Sequence, residues 1–388
     1  MYAQNLHDIG DLRFEEMEKP HIQEGMVLVK VMAAGICGSD IARVYTTGAH
    51  RMPLVPGHEF SGIVVETASQ TSYSGAGGRH DTEINQKDTA DALCTKANGQ
   101  EKAGQGQKER DGGGWLGRRV GIFPLIPCMQ CPQCRKKQYE MCRSYSYLGS
   151  RTDGGFAEYV AVPEWNLMEL PDEVTYEQAA MLEPASVAMH AIRAMNVNKR
   201  ESVAVCGLGT IGLLTAMHLK GMGLDKVYVL GNKEAQRRMA ERIGIAPEDF
   251  CDTKTQEPLS WLSEKTNGQG VDVFFECIGK NEIVKLAIDA VTPGGRIMLV
   301  GNPASDMMLE KGVYWQILRK QLTLKGTWNS SYLGEEEDDW HQVLRAIAEG
   351  RIHPEELITH RFALGDLSKG LEIMRDKTED YVKIMVVS

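Results

Sequence analysis

The stretch that most narrows what this chain can fold into is Val203 to Gly212, VAVCGLGTIG. A short β-branched run leads into Gly207-Leu208-Gly209-Thr210-Ile211-Gly212, and an apolar helix pattern, Ile211 to Met222, follows at once. G-x-G-x-x-G alone is weak, but a strand before it and a helix after it are the context that gives it physical meaning. The first Gly permits the tight turn, the second lets a pyrophosphate approach the backbone, and the third lets helix and strand pack closely. The helix N-terminus then offers free N–H groups to the phosphates.

The surroundings extend this reading. Strand-like runs recur at Lys226–Leu230, Val271–Glu276 and Arg296–Gly301, with helical patterns at Lys233–Ile243 and Glu282–Val291 between them and a last strand at Leu322–Trp328. Strands alternating with helices predict a parallel sheet covered on both faces. Before about Glu183 the pattern is different. Met26–Ala33, Gly62–Glu66, Gly117–Phe123 and Phe156–Val162 are short β-rich runs bounded by Gly and Pro, and the tail after Trp328 returns to mixed short elements. Thr67–Trp115 is rich in Gly, Gln, Lys and Asp without apolar periodicity and reads as a flexible insert between two strands.

Nine cysteines are present, four of them as Cys128, Cys131, Cys134 and Cys142 in a C-x2-C-x2-C-x7-C pattern. Such crowding reads as metal binding rather than disulfides. Four thiolates at these spacings wrap one tetrahedral Zn²⁺ and leave no place for water, so the site would be structural. An iron–sulfur cluster is the alternative, although ferredoxin runs have a shorter last gap. A second, open set begins with Cys37 in Gly35–Asp40 and His58 in Gly57-His58-Glu59. Glu183, in Leu182-Glu183-Pro184, is the expected third ligand; its alternative role is a carboxylate at a helix N-terminus. Glu59 reads as a ligand or as a group behind one. Three protein ligands would leave one position for water or a substrate oxygen.

The formal net charge of -10 argues against nucleic acid. Met1–Phe14 has scattered charges and no apolar h-region, so no secretory signal is expected. No apolar run approaches the roughly 18 residues of a membrane span. A cytoplasmic protein is expected.

Taken together, Gly35–Asp40, Gly57–Gly62, the four-cysteine lobe, Glu183-Pro184 and Gly207–Gly212 resemble the medium-chain, zinc-containing alcohol dehydrogenase family, in the family's order. Within it the chain is closest to polyol dehydrogenases. Gly48-Ala49-His50, Gly149–Tyr159 and Leu318-Arg319-Lys320 through Trp328 resemble a branch acting on a polyol phosphate. The resemblance implies an α/β protein: a GroES-like, mostly-β catalytic domain from residues 1–184 and 328–388, and a Rossmann coenzyme domain at 185–327. It implies two zinc ions per chain and oxidation of a secondary alcohol of a polyol or polyol phosphate by hydride transfer to NAD(P). Ser39 is the implied first member of a proton relay, whose outer histidine is replaced here by Ala42. Arg151 is the candidate phosphate fork, and His50 and Asn329 are further candidates for the same contact; a solvated loop charge is the plainer role of Arg151. A homo-oligomer, dimer or tetramer, is expected. A threonine-type amino-alcohol dehydrogenase and a non-catalytic zinc- and nucleotide-binding protein are the alternatives.

NADP is expected over NAD. NAD-selective sheets end their second strand in a carboxylate that takes the ribose 2′-OH. Here that position is Gly231, followed by Asn232 and Lys233, with Arg237 and Arg238 one turn on.

Overall fold

The computed structural model describes residues 1–68, 114–303 and 305–388. The segment read as a flexible insert therefore falls almost wholly outside the described residues.

Six parallel strands form one sheet. Their spatial order is Phe250–Asp252, Val227–Gly231, Val203–Cys206, Val271–Glu276, Val291–Leu299, Thr323–Gly326. The first strand in the chain thus lies in the middle, and the chain runs outward from it first one way, then the other. The crevice that opens at the carboxyl ends of such strands, where the order reverses, is where α/β sheets bind ligands, and Gly207–Gly212 begins there. Val203, Ala204, Val205 and Cys206 are all buried because helices cover both faces. The helix Thr210–Gly221 buries Leu213, Leu214 and Ala216 against this strand and against the helix Leu182–Ala194.

The second sheet draws on both ends of the chain. Its path is Ile358–Phe362, Lys383–Val387, Met26–Ile36, Glu59–Thr67, Arg119–Ile122, Leu167–Glu169, and Tyr159–Pro163 also pairs with Met26–Ile36. Two registers place the chemistry. Gly35 pairs with Glu59 on one side and with Met385 on the other. The end of Met26–Ile36, which runs into Cys37, is thereby set between Glu59 and the carboxy-terminal strand that opens with Lys383.

The differences from the sequence reading are local. The strand expected at Arg296–Gly301 begins at Val291; Pro293-Gly294-Gly295 disguised its first half as a turn. The tail is more helical than its pattern suggested, with ten-residue helices at Asp339–Ala348 and Leu367–Asp376. A short helix, Gly38–Ala42, with a π-turn at Arg43–Thr47, follows Cys37 where only strands were read.

Candidate active site and metal centres

Cys37 ends the strand Met26–Ile36 and precedes the helix Gly38–Ala42. His58 and Glu59 stand at the start of the neighbouring strand. One ligand atom from each of Cys37, His58 and Glu59 lies within 4.8 Å of the others. A thiol, an imidazole and a carboxylate at this spacing are a donor set suited to zinc. His58 is 5% exposed, and its Nδ1 has no hydrogen-bond partner, standing 3.6 Å from Asp40 Oδ1. Asp40 is fully buried; its carboxylate accepts from the Cys37 N–H at 2.9 Å and from Arg43 at 2.5 Å. Burial works to raise the Asp40 carboxyl, but His58, Arg43 and the Cys37 N–H outweigh it and hold it below the ordinary range.

The carboxylate brought among these donors is Glu59. Glu183, the third ligand expected from sequence, opens the helix Leu182–Ala194 and stands next to the group, where it accepts from Tyr147 Oη at 3.1 Å. Burial first, then the Glu59 charge, pushes the Glu183 carboxyl up to about 7, against the pull of His58, Lys383 and Tyr147. Strand pairing explains why Glu59 falls among these donors: it sits opposite Gly35, two residues before Cys37. A side chain at position 35 would run into Glu59 and Lys383.

Lys383 was missed from sequence. It is 2% exposed, and its Nζ donates to Ile36 O at 3.0 Å and to the Glu59 carboxylate. Burial would lower its pKa, yet Glu59, Cys37 and Glu183 together raise it, so a permanent cation stands behind the acidic donors. A single charge opening the buried strand Lys383–Val387 was the available signal.

In the second cluster, Cys128, Cys131, Cys134 and Cys142 also lie within 4.8 Å of one another. Sulfur separations of 3.5 Å (131–134), 3.9 Å (128–134) and 4.0 Å (131–142) bracket the edge of about 3.8 Å that Zn–S bonds of 2.3 Å give a tetrahedron. N–H groups of Cys134 and Arg143 aimed at the sulfur bring the Cys131 thiol down to about 6. That spacing fits one four-coordinate ion rather than a multi-iron cluster.

In the coenzyme turn each glycine has its own reason. Gly207 has φ +99°, and a side chain there would meet Ile278 and Cys277 O. Gly212 lies against Gly207 O, leaving no room for a side chain, whereas Gly209 has nothing within 4 Å, the open face a pyrophosphate needs. Thr210 Oγ1 donates to Val382 O at 2.7 Å, which ties the turn to the residue before Lys383. The G-x-G-x-x-G turn and the Cys37, His58 and Glu59 group are thus joined through the adjacent residues Val382 and Lys383. Gly231 ends its strand as expected. A Cβ there would come within 2.9 Å of Gln236 Oε1 and 3.0 Å of Leu208. Gln236, also missed from sequence, accepts from Asn232 N at 3.0 Å and donates to Leu208 O at 3.1 Å, bridging the two loops. Lys233 lies 3.6 Å from Asp380, Arg237 and Arg238 both face Glu234, and Arg237 also covers the Phe250 ring.

Ser39 is exposed on the short helix after Cys37, and Ala42 is half-buried on the same helix. Arg151 lies on a turn whose Ser150, Arg151 and Thr152 N–H groups all donate to Tyr147 O. This turn is locked onto the segment before His58: side chains at Gly149 or Gly154 would collide with Gly57, and Gly155 N donates to Gly57 O at 2.7 Å. The Arg151 guanidinium covers the Tyr145 ring at 4.6 Å, and its buried Nε has no partner. Arg43 and Arg51 pair with Asp40 and Asp153, while Arg151 and the neighbouring His50 have no acidic partner among the described residues. Burial, then the charges of Arg151 and Arg43, lower the His50 pKa. Asn329 is placed differently: at φ 58° it uses its side-chain oxygen to accept from Ser330 N.

Known proteins agree with the class this fold and site define. The family model for zinc-binding dehydrogenase matches residues 210–349, and that for the alcohol dehydrogenase GroES-like domain matches 23–80 and 80–172. Galactitol 1-phosphate 5-dehydrogenase of Escherichia coli (strain K12) is 30% identical over 373 residues, covering 95% of this chain and 93% of that protein. The crystal structure of galactitol-1-phosphate dehydrogenase from Escherichia coli matches with TM-score 0.81 and 27% identity over the whole of both chains. A zinc-binding dehydrogenase from Sinorhizobium meliloti 1021, bound to NADP, matches with TM-score 0.79 and 25% identity over 100% of this chain and 99% of its own. The chain belongs to the zinc-dependent, medium-chain alcohol and polyol dehydrogenase family. It is an oxidoreductase that uses zinc and a nicotinamide cofactor. Among the described residues no helix is long and apolar enough to cross a membrane.

Proposed function

We propose that this enzyme oxidises a secondary alcohol of a polyol phosphate to the ketose phosphate, with NADP as acceptor. The observation that carries the reading is the convergence of Cys37, His58 and Glu59 beside Glu183, joined to the coenzyme turn through Thr210, Val382 and Lys383. Cys37, His58 and Glu59, with Glu183 within reach, would hold a reactive zinc, and the four-cysteine lobe a structural one. When bound, zinc supplies a Lewis acid that favours the ionised form of a ligated hydroxyl, and the nicotinamide supplies the hydride acceptor. Ser39 would accept the hydroxyl proton while passing its own proton on. With Ala42 in place of a relay histidine, the proton leaves through water, the cofactor ribose or His50. Asp40 fixes the Cys37 backbone, and Lys383 holds the Glu59 carboxylate in place through a hydrogen bond. The working division is a catalytic domain from residues 1–184 and 328–388 around a coenzyme domain of 185–327. The cysteines among the described residues are unbridged, which suits the reducing cytoplasm.

Arg151 supports the phosphate: among the described residues its guanidinium has no acidic partner, and a guanidinium can bind an anion through two parallel hydrogen bonds. Gly231 supports NADP. Position 231 carries no carboxylate for the 2′-OH, and Gln236 and Leu208 crowd the space where one would begin. A matrix of kcat/KM over free and phosphorylated polyols, with both cofactors, tests the reading. Turnover with NADP should exceed that with NAD by about tenfold, some 1.4 kcal/mol. Arg151→Ala should raise KM for the phosphate ester about 10- to 100-fold, as lost charge-assisted bonds imply, with little change for the free polyol. Equal effects on both substrates would remove the phosphate assignment, and a tenfold preference for NAD would remove the cofactor one.

A homo-oligomer belongs to the same reading. Thr323–Gly326 is a largely exposed edge strand, and Tyr314, Trp315, Leu318 and Trp328 lie more than half exposed nearby. Open edges and apolar patches of this kind are normally covered by a partner. Light scattering should give two or four times the 43.0 kDa chain mass, and Trp315→Glu with Leu318→Glu should reduce it to one. A monomeric wild type would end this part of the reading.

A further inference from the structure

Glu183 is a buried carboxylate directly beside the donor group, yet it is turned to a different partner. Among the described residues, the only side chain that donates to it is Tyr147. Its backbone is fixed at the start of a thirteen-residue helix, so its freedom is rotation of the side chain.

Tyr147 has no such freedom. It lies in the short strand Ser146–Tyr147, paired with Leu125 across Leu125–Ile126. Its carbonyl takes three N–H groups of the Ser150–Thr152 turn. Its ring packs edge-on against Tyr145, centroids 6.2 Å apart, and tilts over His58 at 5.8 Å. The turn it anchors is in turn clamped on Gly57, next to His58. A hydroxyl held this rigidly is well placed to dictate the rotamer of a mobile carboxylate.

We propose that Tyr147 is a positioning residue whose hydroxyl holds Glu183 out of the donor group of Cys37, His58 and Glu59, keeping a coordination position open for the substrate oxygen. The inference rests on the metal reading of those three residues. A tetrahedral ion with three protein ligands has one open place. A second carboxylate swinging into it would tighten the ion's binding and block the substrate.

Cobalt-substituted protein tests this, with Cys37→Ala as the blank for the four-cysteine lobe. Tyr147→Phe keeps the ring packing and removes one oxygen. It should change the cobalt visible spectrum, slow removal of the ion by a chelator about tenfold, and lower kcat about tenfold at unchanged metal content. In a Glu183→Gln background, Tyr147→Phe should change neither the spectrum nor the chelator rate. A Tyr147→Phe protein with wild-type spectrum and chelator rate overturns the assignment. A spectral change that persists in the Glu183→Gln background overturns it as well. If wild type and Cys37→Ala bind cobalt identically, the metal reading itself falls, and this inference with it.

Discussion

Cys37→Ala is expected to lower kcat/KM by about a thousandfold or more, because a Lewis acid contributes several kcal/mol to such a reaction and about 4 kcal/mol is a factor of a thousand. The chain should remain folded. The bond that anchors this corner runs from the Cys37 backbone N–H to Asp40, and alanine keeps that N–H. What is lost is the sulfur, and with it the softest of the three donors. Elemental analysis should show about one zinc fewer per chain, from about two to about one by the tetrahedral-site count. The thermal transition should move little, since Cys37 is half-buried and its removal opens no large cavity. Undiminished turnover would refute the assignment of this group. A loss of turnover accompanied by a collapsed melting temperature would show that residue 37 acts through the fold instead.

Much of this site was legible because its signals are local. The cysteine cluster falls within one lobe, and the G-x-G-x-x-G turn carries its own strand and helix. The structure brings the four sulfurs together and sets the turn between its strand and helix, with Gly207 at positive φ and Gly212 against its carbonyl. What was not legible depends on long-range pairing. Lys383 reaches Ile36 O across 347 positions of sequence, and only the antiparallel register of the two strands brings it there. The order of Glu59 and Glu183 is a question of the same kind, since it turns on the Gly35–Glu59 pairing. Two helices of the tail could have been read better. Asp338 caps Asp339–Ala348 by accepting from His341 N at 2.8 Å, an N-cap signal present in the sequence. Tyr147 carried no signal, because one aromatic residue after a metal lobe has no periodicity to mark it.

Cys134→Ser is expected to have the largest effect on stability, with a much smaller effect on chemistry. Cys134 is buried, 4% exposed, and its sulfur lies 3.5 Å from Cys131 and 3.9 Å from Cys128. A serine oxygen is a poor, shorter substitute for a thiolate, so the four-coordinate site should lose its ion. The lobe then has little else to hold it. Its helix, Pro132–Arg135, is a single turn, and its strand Leu125–Ile126 has two residues. Structural zinc binding is folding energy in such small units, on the order of 10 kcal/mol in isolated fingers. Here only the part coupled to the rest of the chain would appear in the global transition, about 3 kcal/mol or more, by analogy with removal of a cross-link from a small domain. The lobe touches the remainder through Tyr139 on Trp165, which packs in turn on Phe123 and Tyr332, so its loss should propagate into that aromatic cluster. Calorimetry should show a lowered transition, and zinc content should fall by about one per chain, again by the tetrahedral-site count. Folded enzyme at low temperature should keep kcat within about threefold of wild type, a difference below 1 kcal/mol. A wild-type melting temperature with one zinc missing would mean that the four cysteines hold an ion the fold does not need.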